Sequence, residues 1–177
     1  MVITLIGYRG SGKSTIAPLL AERLGWEWID ADAEIERRAG RTIREIFASQ
    51  GEPTFRDLER ETIGELLGRE RLVLAAGGGA VLDASTRQRM RHAGPVVWCD
   101  APVETLYERI LADATTAERR PNLTGRGGID EVRELLGRRE PLYRETACVV
   151  IDTQRLDPAN AVDEILLAVG ERAGARP

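Results

Sequence analysis

Lysine is almost absent from this chain. Of its 25 Lys and Arg residues, only Lys13 is lysine. Histidine occurs once, cysteine twice, and aromatic residues make up 5% of the 177 residues. Two cysteines give no disulfide framework and no metal site. Cys99 and Cys148 each lie in an apolar run, which predicts buried free thiols. His92 sits in a polar, arginine-rich stretch and reads as a surface residue without catalytic duty. No apolar run approaches the length that spans a bilayer. The chain enters an apolar run at Val2 with no charged leader or cleavage site, so we expect no signal peptide and a reduced cytoplasmic setting. The net charge is −4, and no basic stripe carries aromatic platforms. That balance argues against a nucleic-acid or anionic-membrane surface, so any anionic ligand needs a local basic cluster.

What is present is an ordinary globular balance, 42% hydrophobic and 31% charged, in a length that suits one domain. Short β-branched runs alternate with stretches of helical spacing. Strands are expected at Val2–Ile6, 26–29, Leu72–Ala75, 96–99 and 149–151. Helices are expected over 14–24, 33–50 with an interruption at Gly40, from Pro53 through Leu67, then 83–92, 102–111, 129–144 with a break near Pro141, and 159–173. Strand–helix alternation of this kind predicts a three-layer α/β fold, a parallel sheet covered on both faces. No segment shows a large unexplained apolar face, so a monomer is expected.

Lys13 lies in GYRGSGKST, residues 7–15. The spacing Gly7-x-x-x-x-Gly12-Lys13-Ser14, with a strand before and a helix after, is that of a phosphate-binding loop. Glycines let the backbone turn tightly and aim successive N–H groups into a concave anion site. The helix N-terminus adds its positive dipole end. Lysine is a compact charge on a flexible stem that can follow the loop to the β- and γ-phosphates. Arginine is planar and forked and fits such a cradle poorly. Gly10, Ser11, Gly12, Lys13, Ser14 and Thr15 form the nucleotide-binding set, with the Ser14 hydroxyl offered to Mg²⁺. The alternative, a glycine-rich turn carrying a solvated lysine, fits this context less well. A phosphate-binding loop serves GTPases, ATPase motors and small-molecule kinases alike.

Three further stretches bear on the reaction. WIDADAEI puts Asp30 and Asp32 after the second strand, at the strand end where ligands bind in such sheets. One carboxylate can serve the metal and the other accept a hydroxyl proton, or one can simply cap a helix. Gly77-Gly78-Gly79 ends the third strand, where something approaches the backbone closely or the chain turns sharply. Arg119, Arg120 and Arg126 lie in a polar segment, followed by Arg138 and Arg139. These are a candidate flap that neutralises phosphoryl charge, or solvated surface arginines.

Together GYRGSGKST, IDADAEIERRAGRTIREIFASQGEPTFRDLE, AAGGGAV, RRPNLTG and RREPLYRE give the chain a resemblance to the shikimate kinase family, nearly end to end. The second segment is far more specific than the phosphate loop. The resemblance implies a five-stranded parallel sheet of the nucleoside monophosphate kinase type. It implies transfer of the γ-phosphoryl of ATP, with Mg²⁺, to the 3-hydroxyl of shikimate on the route to chorismate. It also implies a substrate-binding insert at about 32–61 and a lid at about 112–127. By position, Lys13 matches the phosphate contact, Ser14 and Asp30 the metal site, and Asp32 the residue that bonds shikimate hydroxyls and is the candidate base. Arg56 and Arg139 match carboxylate-binding arginines. Gly77, Gly78 and Gly79 match backbone contacts to the substrate, and Phe47 and Phe55 an apolar wall around its ring. Arg120 matches a lid arginine that closes on the phosphates, with Arg119 adjacent. Arg155, in DTQRLDP, is a candidate for contact with the base. A gluconate-type kinase shares the loop and the size but lacks the triple glycine and the Phe-Arg context. A nucleotide-binding regulatory protein that has lost catalysis is the remaining alternative, although every catalytic group is present.

Overall fold

The structure, a computed structural model, describes residues 1–113 and 127–174. Its elements run β1 (Val2–Ile6), α1 (Lys13–Leu24), β2 (Glu27–Asp30), α2 (Ala31–Ala39), α3 (Ile43–Leu66), β3 (Leu72–Ala75), a 3-10 turn (Ala80–Leu82), α4 (Ala84–Ala93), β4 (Val96–Asp100), α5 (Val103–Ala112), α6 (Gly128–Thr146), β5 (Val149–Asp152) and α7 (Pro158–Gly174). The strands form one sheet in the order β2-β3-β1-β4-β5. All neighbours are parallel, with Val2 opposite Leu72, Thr4 opposite Val96 and Val97 opposite Val149. This is the fold class expected from the alternation of elements.

Period-two alternation divides the core. From β1, Val2 and Ile6 face one helical layer, where Ile63, Leu66, Met90, Leu135 and Tyr143 pack. Ile3 and Leu5 face the other, with Ile16 and Leu20 of α1 and Ala161 and Ile165 of α7. Every β1 side chain is buried, as a central parallel strand requires. Trp98 of β4 stacks on Tyr143 with ring centroids 5.9 Å apart. Burial of each such large side chain contributes about 2 kcal/mol. A satellite core of Ile35, Ile43, Ile46 and Phe55 joins α2 to α3.

Helix boundaries follow local chemistry. The Asp30 carboxylate caps α2 by accepting from the Asp32 and Ala33 N–H groups. Thr42 and Glu45 form a reciprocal capping box at the start of α3. Gly51, at φ 81°, breaks the helical path inside α3, and Pro53 follows where the second half begins. The expected separate helices are thus two arms of one bent element.

Three expectations are corrected. The break expected near Pro141 is absent, and α6 runs through it from Gly128 to Thr146. A proline forfeits one helical bond. Leu135 and Leu136 before it and Tyr143 after it anchor both flanks in the core. Cys148 is only half-buried, since it sits where α6 hands over to the edge strand β5. Cys99 is buried as expected, and that burial pushes its thiol up to about 12. The second strand begins one residue later than expected. As an edge strand it is half open, with Trp28 exposed.

Candidate active site

β1 is central, and the strands placed on its two sides by opposite crossovers make the crevice at its carboxyl end the natural ligand site. The loop Gly7–Gly12 fills that crevice. Gly7, at φ 144°, lies so close to the Cys99 carbonyl that a methyl there would overlap it. No other residue fits at this position.

Lys13 folds along the loop. Its ammonium donates to the Gly7 carbonyl at 2.9 Å, the Tyr8 carbonyl at 2.8 Å and the Ser11 hydroxyl at 3.2 Å. A small rotating ammonium can meet three acceptors packed this tightly, and a planar guanidinium cannot. Ser14 donates to Asp30 Oδ2 at 2.9 Å. Asp30 Oδ1 accepts from the Asp32 N–H at 2.9 Å and the Ala33 N–H at 3.2 Å. The capping and metal-site readings therefore describe one residue, with one carboxylate oxygen for each. Ser14 and Asp30 fit Mg²⁺: they are adjacent hard oxygen groups, and Mg²⁺ takes one or two carboxylates with phosphate and water oxygens completing its shell.

The cavity at this crevice holds about 490 Å³ and is lined by Gly10, Gly12, Lys13, Ser14, Thr15, Asp30, Asp32, Gly77, Gly78 and Arg139. Ser11 is buried beneath the loop. These sequence-predicted residues come from the loop after β1, the first turn of α1, the end of β2, the start of α2, the loop after β3 and α6, and converge on one space. Arg139 is only 6% exposed, and its guanidinium lies 5.6 Å above the Tyr8 ring. It makes no ion pair among the described residues. A buried cation without a carboxylate partner is expensive unless a ligand supplies one.

Arg56 is held differently. Its Nη1 donates to Glu59 at 2.7 Å and its Nε and Nη2 to Glu52 at 3.1 and 2.9 Å. Its guanidinium packs against Gly79, where a methyl group would overlap it. This explains one glycine of the triple run: the backbone is a floor for Arg56. Phe47 and Phe55 pack together at 4.9 Å, with Phe55 beneath Arg56 at 5.2 Å. Arg56, Gly79 and the two phenylalanines stand beside the cavity rather than lining it. Tyr143 donates to the Gly78 carbonyl at 2.6 Å and fixes the glycine loop from α6.

Two candidates fall elsewhere. Arg155 is exposed, pairs with Asp152 at 3.2 Å and does not line the cavity. Arg138 points outward and pairs with Glu134 at 2.7 Å. Arg119, Arg120, Arg126 and nearly all of the expected lid lie outside the described residues.

The residue that sequence reasoning missed is Arg109. From α5 it donates to the Gly10 carbonyl at 3.3 Å and to the Thr153 hydroxyl and carbonyl at 3.2 and 2.7 Å. It joins the phosphate loop to the turn after β5, and with Thr153, Leu156 and Pro158 it forms the far wall of the cavity. The available signal was an arginine on the buried face of an amphipathic helix, between Leu106 and Ile110.

A phosphate loop at the switch point of a parallel sheet, its serine bonded to a strand-end carboxylate, defines a phosphate-loop kinase of small molecules. More narrowly, the chain belongs to the shikimate kinase family, whose model matches residues 9–169. It is 43% identical to the shikimate kinase of Rhodopirellula baltica over 96% of this chain and 91% of that one. It is 42% identical to that of Symbiobacterium thermophilum, over 97% and 98%. Among solved structures, the shikimate kinase of Acinetobacter baumannii in complex with shikimate superposes with a TM-score of 0.90 at 39% identity, covering 97% of this chain and 93% of that one. A gluconokinase from Sinorhizobium meliloti gives 0.59 at 19% identity, over 98% and 93%, and shares the fold alone.

Proposed function

We propose that this protein transfers the γ-phosphoryl group of Mg²⁺-ATP to the 3-hydroxyl of shikimate, giving shikimate 3-phosphate and ADP on the route to chorismate. Family membership supports the reaction. The observation that carries the substrate assignment is Arg139, a buried guanidinium facing the cavity with no ion-pair partner among the described residues. A carboxylate on the acceptor completes that pair.

In this reading Lys13 leaves the Gly7 and Tyr8 carbonyls and turns its ammonium to the β- and γ-phosphates. Ser14 and Asp30 would hold Mg²⁺, which would supply charge neutralisation at those phosphates. Arg139 and Arg56 grip the acceptor carboxylate, each charged hydrogen bond contributing about 1.5–3 kcal/mol. Gly77 and Gly78 let the acceptor lie against the backbone, and Gly79 seats Arg56 beside it. Asp32 lines the same cavity and accepts the hydroxyl proton. It does so late, because a loose transition state needs positioning and charge stabilisation more than a strong base. Arg109 walls the nucleotide end.

A monomer working in the cytoplasm belongs to the same reading, and no described helix is long and apolar enough to cross a membrane. Sizing chromatography checks the monomer. The reaction is tested by phosphorus and proton NMR of the product. A single phosphate ester on the 3-oxygen of shikimate supports the assignment, and an ester elsewhere or none overturns it.

A further inference from the structure

Tyr8 stands where the two halves of the site meet. Its carbonyl accepts from Lys13 at 2.8 Å and from the Ser11 N–H at 3.2 Å, so its backbone belongs to the phosphate cradle. Its side chain belongs to the other half. The ring is 3% exposed and lies 5.6 Å from the Arg139 guanidinium. Its Cα sits against Gly78, where a methyl group would come within 3.5 Å of it. Arg9, Arg139 and Glu131 lie around the phenol. Burial raises its pKa, and Arg9 and Arg139 oppose the rise.

We propose that Tyr8 is a positioning residue for acceptor binding: its ring is the shelf that orients Arg139, so the loop cradling the phosphates also sets the acceptor's carboxylate site. This rests on the reading of Arg139 as a carboxylate ligand. The physical reason is a division between orienting a cation and neutralising it. A carboxylate neighbour would fix the guanidinium but compete with the acceptor's own carboxylate. Arg56 is the other case, oriented by Glu52 and Glu59 and so the weaker of the two contacts to that carboxylate. An aromatic face attracts and aligns a guanidinium while leaving its N–H donors and its charge available. The shelf is also in register with the nucleotide, because the Tyr8 carbonyl accepts from the Ser11 N–H inside the phosphate loop. One residue therefore relates the carboxylate anchor to the phosphoryl donor.

The test is steady-state kinetics on the full chain with both substrates varied, for Tyr8→Leu, Tyr8→Phe, Arg139→Ala and the double variant Tyr8→Leu/Arg139→Ala. Tyr8→Leu should raise the shikimate KM about 3- to 30-fold and leave the ATP KM within about twofold. Tyr8→Phe keeps the ring and should recover most of that loss. In the double variant, Tyr8→Leu should add little to Arg139→Ala, since both remove one interaction. The ATP KM doubles as the check that the loop has folded. An unchanged shikimate KM in Tyr8→Leu, beside a raised one in Arg139→Ala, overturns the shelf and leaves the carboxylate role of Arg139 standing. An equal rise in both KM values also overturns it, as a general disturbance of the loop. An unchanged shikimate KM in Arg139→Ala removes the carboxylate reading itself.

Discussion

Ser14 and Asp30 are joined by a 2.9 Å hydrogen bond from hydroxyl to carboxylate, although they lie on different elements. The bond brings the first turn of α1 to the end of β2. It uses only one oxygen of Asp30, because the other caps α2. This division separates two substitutions. Ser14→Ala should raise the Mg²⁺ requirement about tenfold or more with little change in thermal stability. Asp30→Ala should do the same and also lose the cap, costing about 1 kcal/mol. Activity titrated against Mg²⁺, with thermal melts of both variants, checks this. Equal stability loss in the two contradicts the division.

The single lysine should resist even its closest substitute. Lys13→Arg keeps the charge but offers a planar fork to three acceptors set for a compact ammonium. We expect at least a hundredfold loss of kcat/KM with the fold intact, approaching the loss in Lys13→Ala. Circular dichroism and turnover together decide it, and near-normal turnover by Lys13→Arg removes the geometric argument.

In the proposed reaction Asp32 serves the acceptor and not the metal. Asp32→Asn should lower kcat about a hundredfold while leaving ATP affinity nearly unchanged. Nucleotide titration by fluorescence supplies the second number. A parallel loss of ATP affinity moves Asp32 to the metal site.

Arg56 has two carboxylates on its donors, Glu59 buried and Glu52 half open. Arg56→Ala should raise the shikimate KM at least tenfold, with a far smaller effect on the ATP KM. It should also destabilise the fold, because the buried Glu59 loses the 2.7 Å pair with that guanidinium. A larger effect on ATP than on shikimate contradicts the assignment.

Acid stability has a local origin in α2. Glu34 accepts from Arg37 and Arg38, and Arg38 continues to Glu65 of α3 at 2.6 Å. Those arginine hydrogen bonds, Arg37 first, lower its pKa from an ordinary 4.5 to about 2. A folded pKa below the unfolded one adds stability that is full above about 4.5 and lost as pH falls toward 2. Glu34→Gln should cost about 1 kcal/mol at neutral pH, because Arg37 is open to solvent. It should flatten the stability profile in that acid window. Urea melts between pH 2 and 6 measure both, and an unchanged slope contradicts the linkage.

Much of this architecture is legible in the sequence because it is written locally. The β-branched runs name the strands, and glycines and capping residues mark most helix ends. The cradle at 7–15 carries its own motif, and Asp30 and Asp32 follow a strand end. What was not legible depends on distance. Arg109 draws its meaning from Thr153, 44 residues away, and reads locally as one more helix arginine. Tyr8 looks like a filler in a glycine-rich loop until α6 brings Arg139 over its ring. Pro141 signals a break locally, yet the core contacts on both sides hold the helix. Arg155 has the chemistry of a base contact, and its pairing with Asp152 is not written in the local sequence.

Coupled ADP release from Mg²⁺-ATP, with shikimate and gluconate compared at equal concentration, tests the central claim most directly. The account predicts turnover that depends on shikimate and is absent with gluconate. ADP release with gluconate, or with neither acceptor in a protein that still binds ATP, would contradict it.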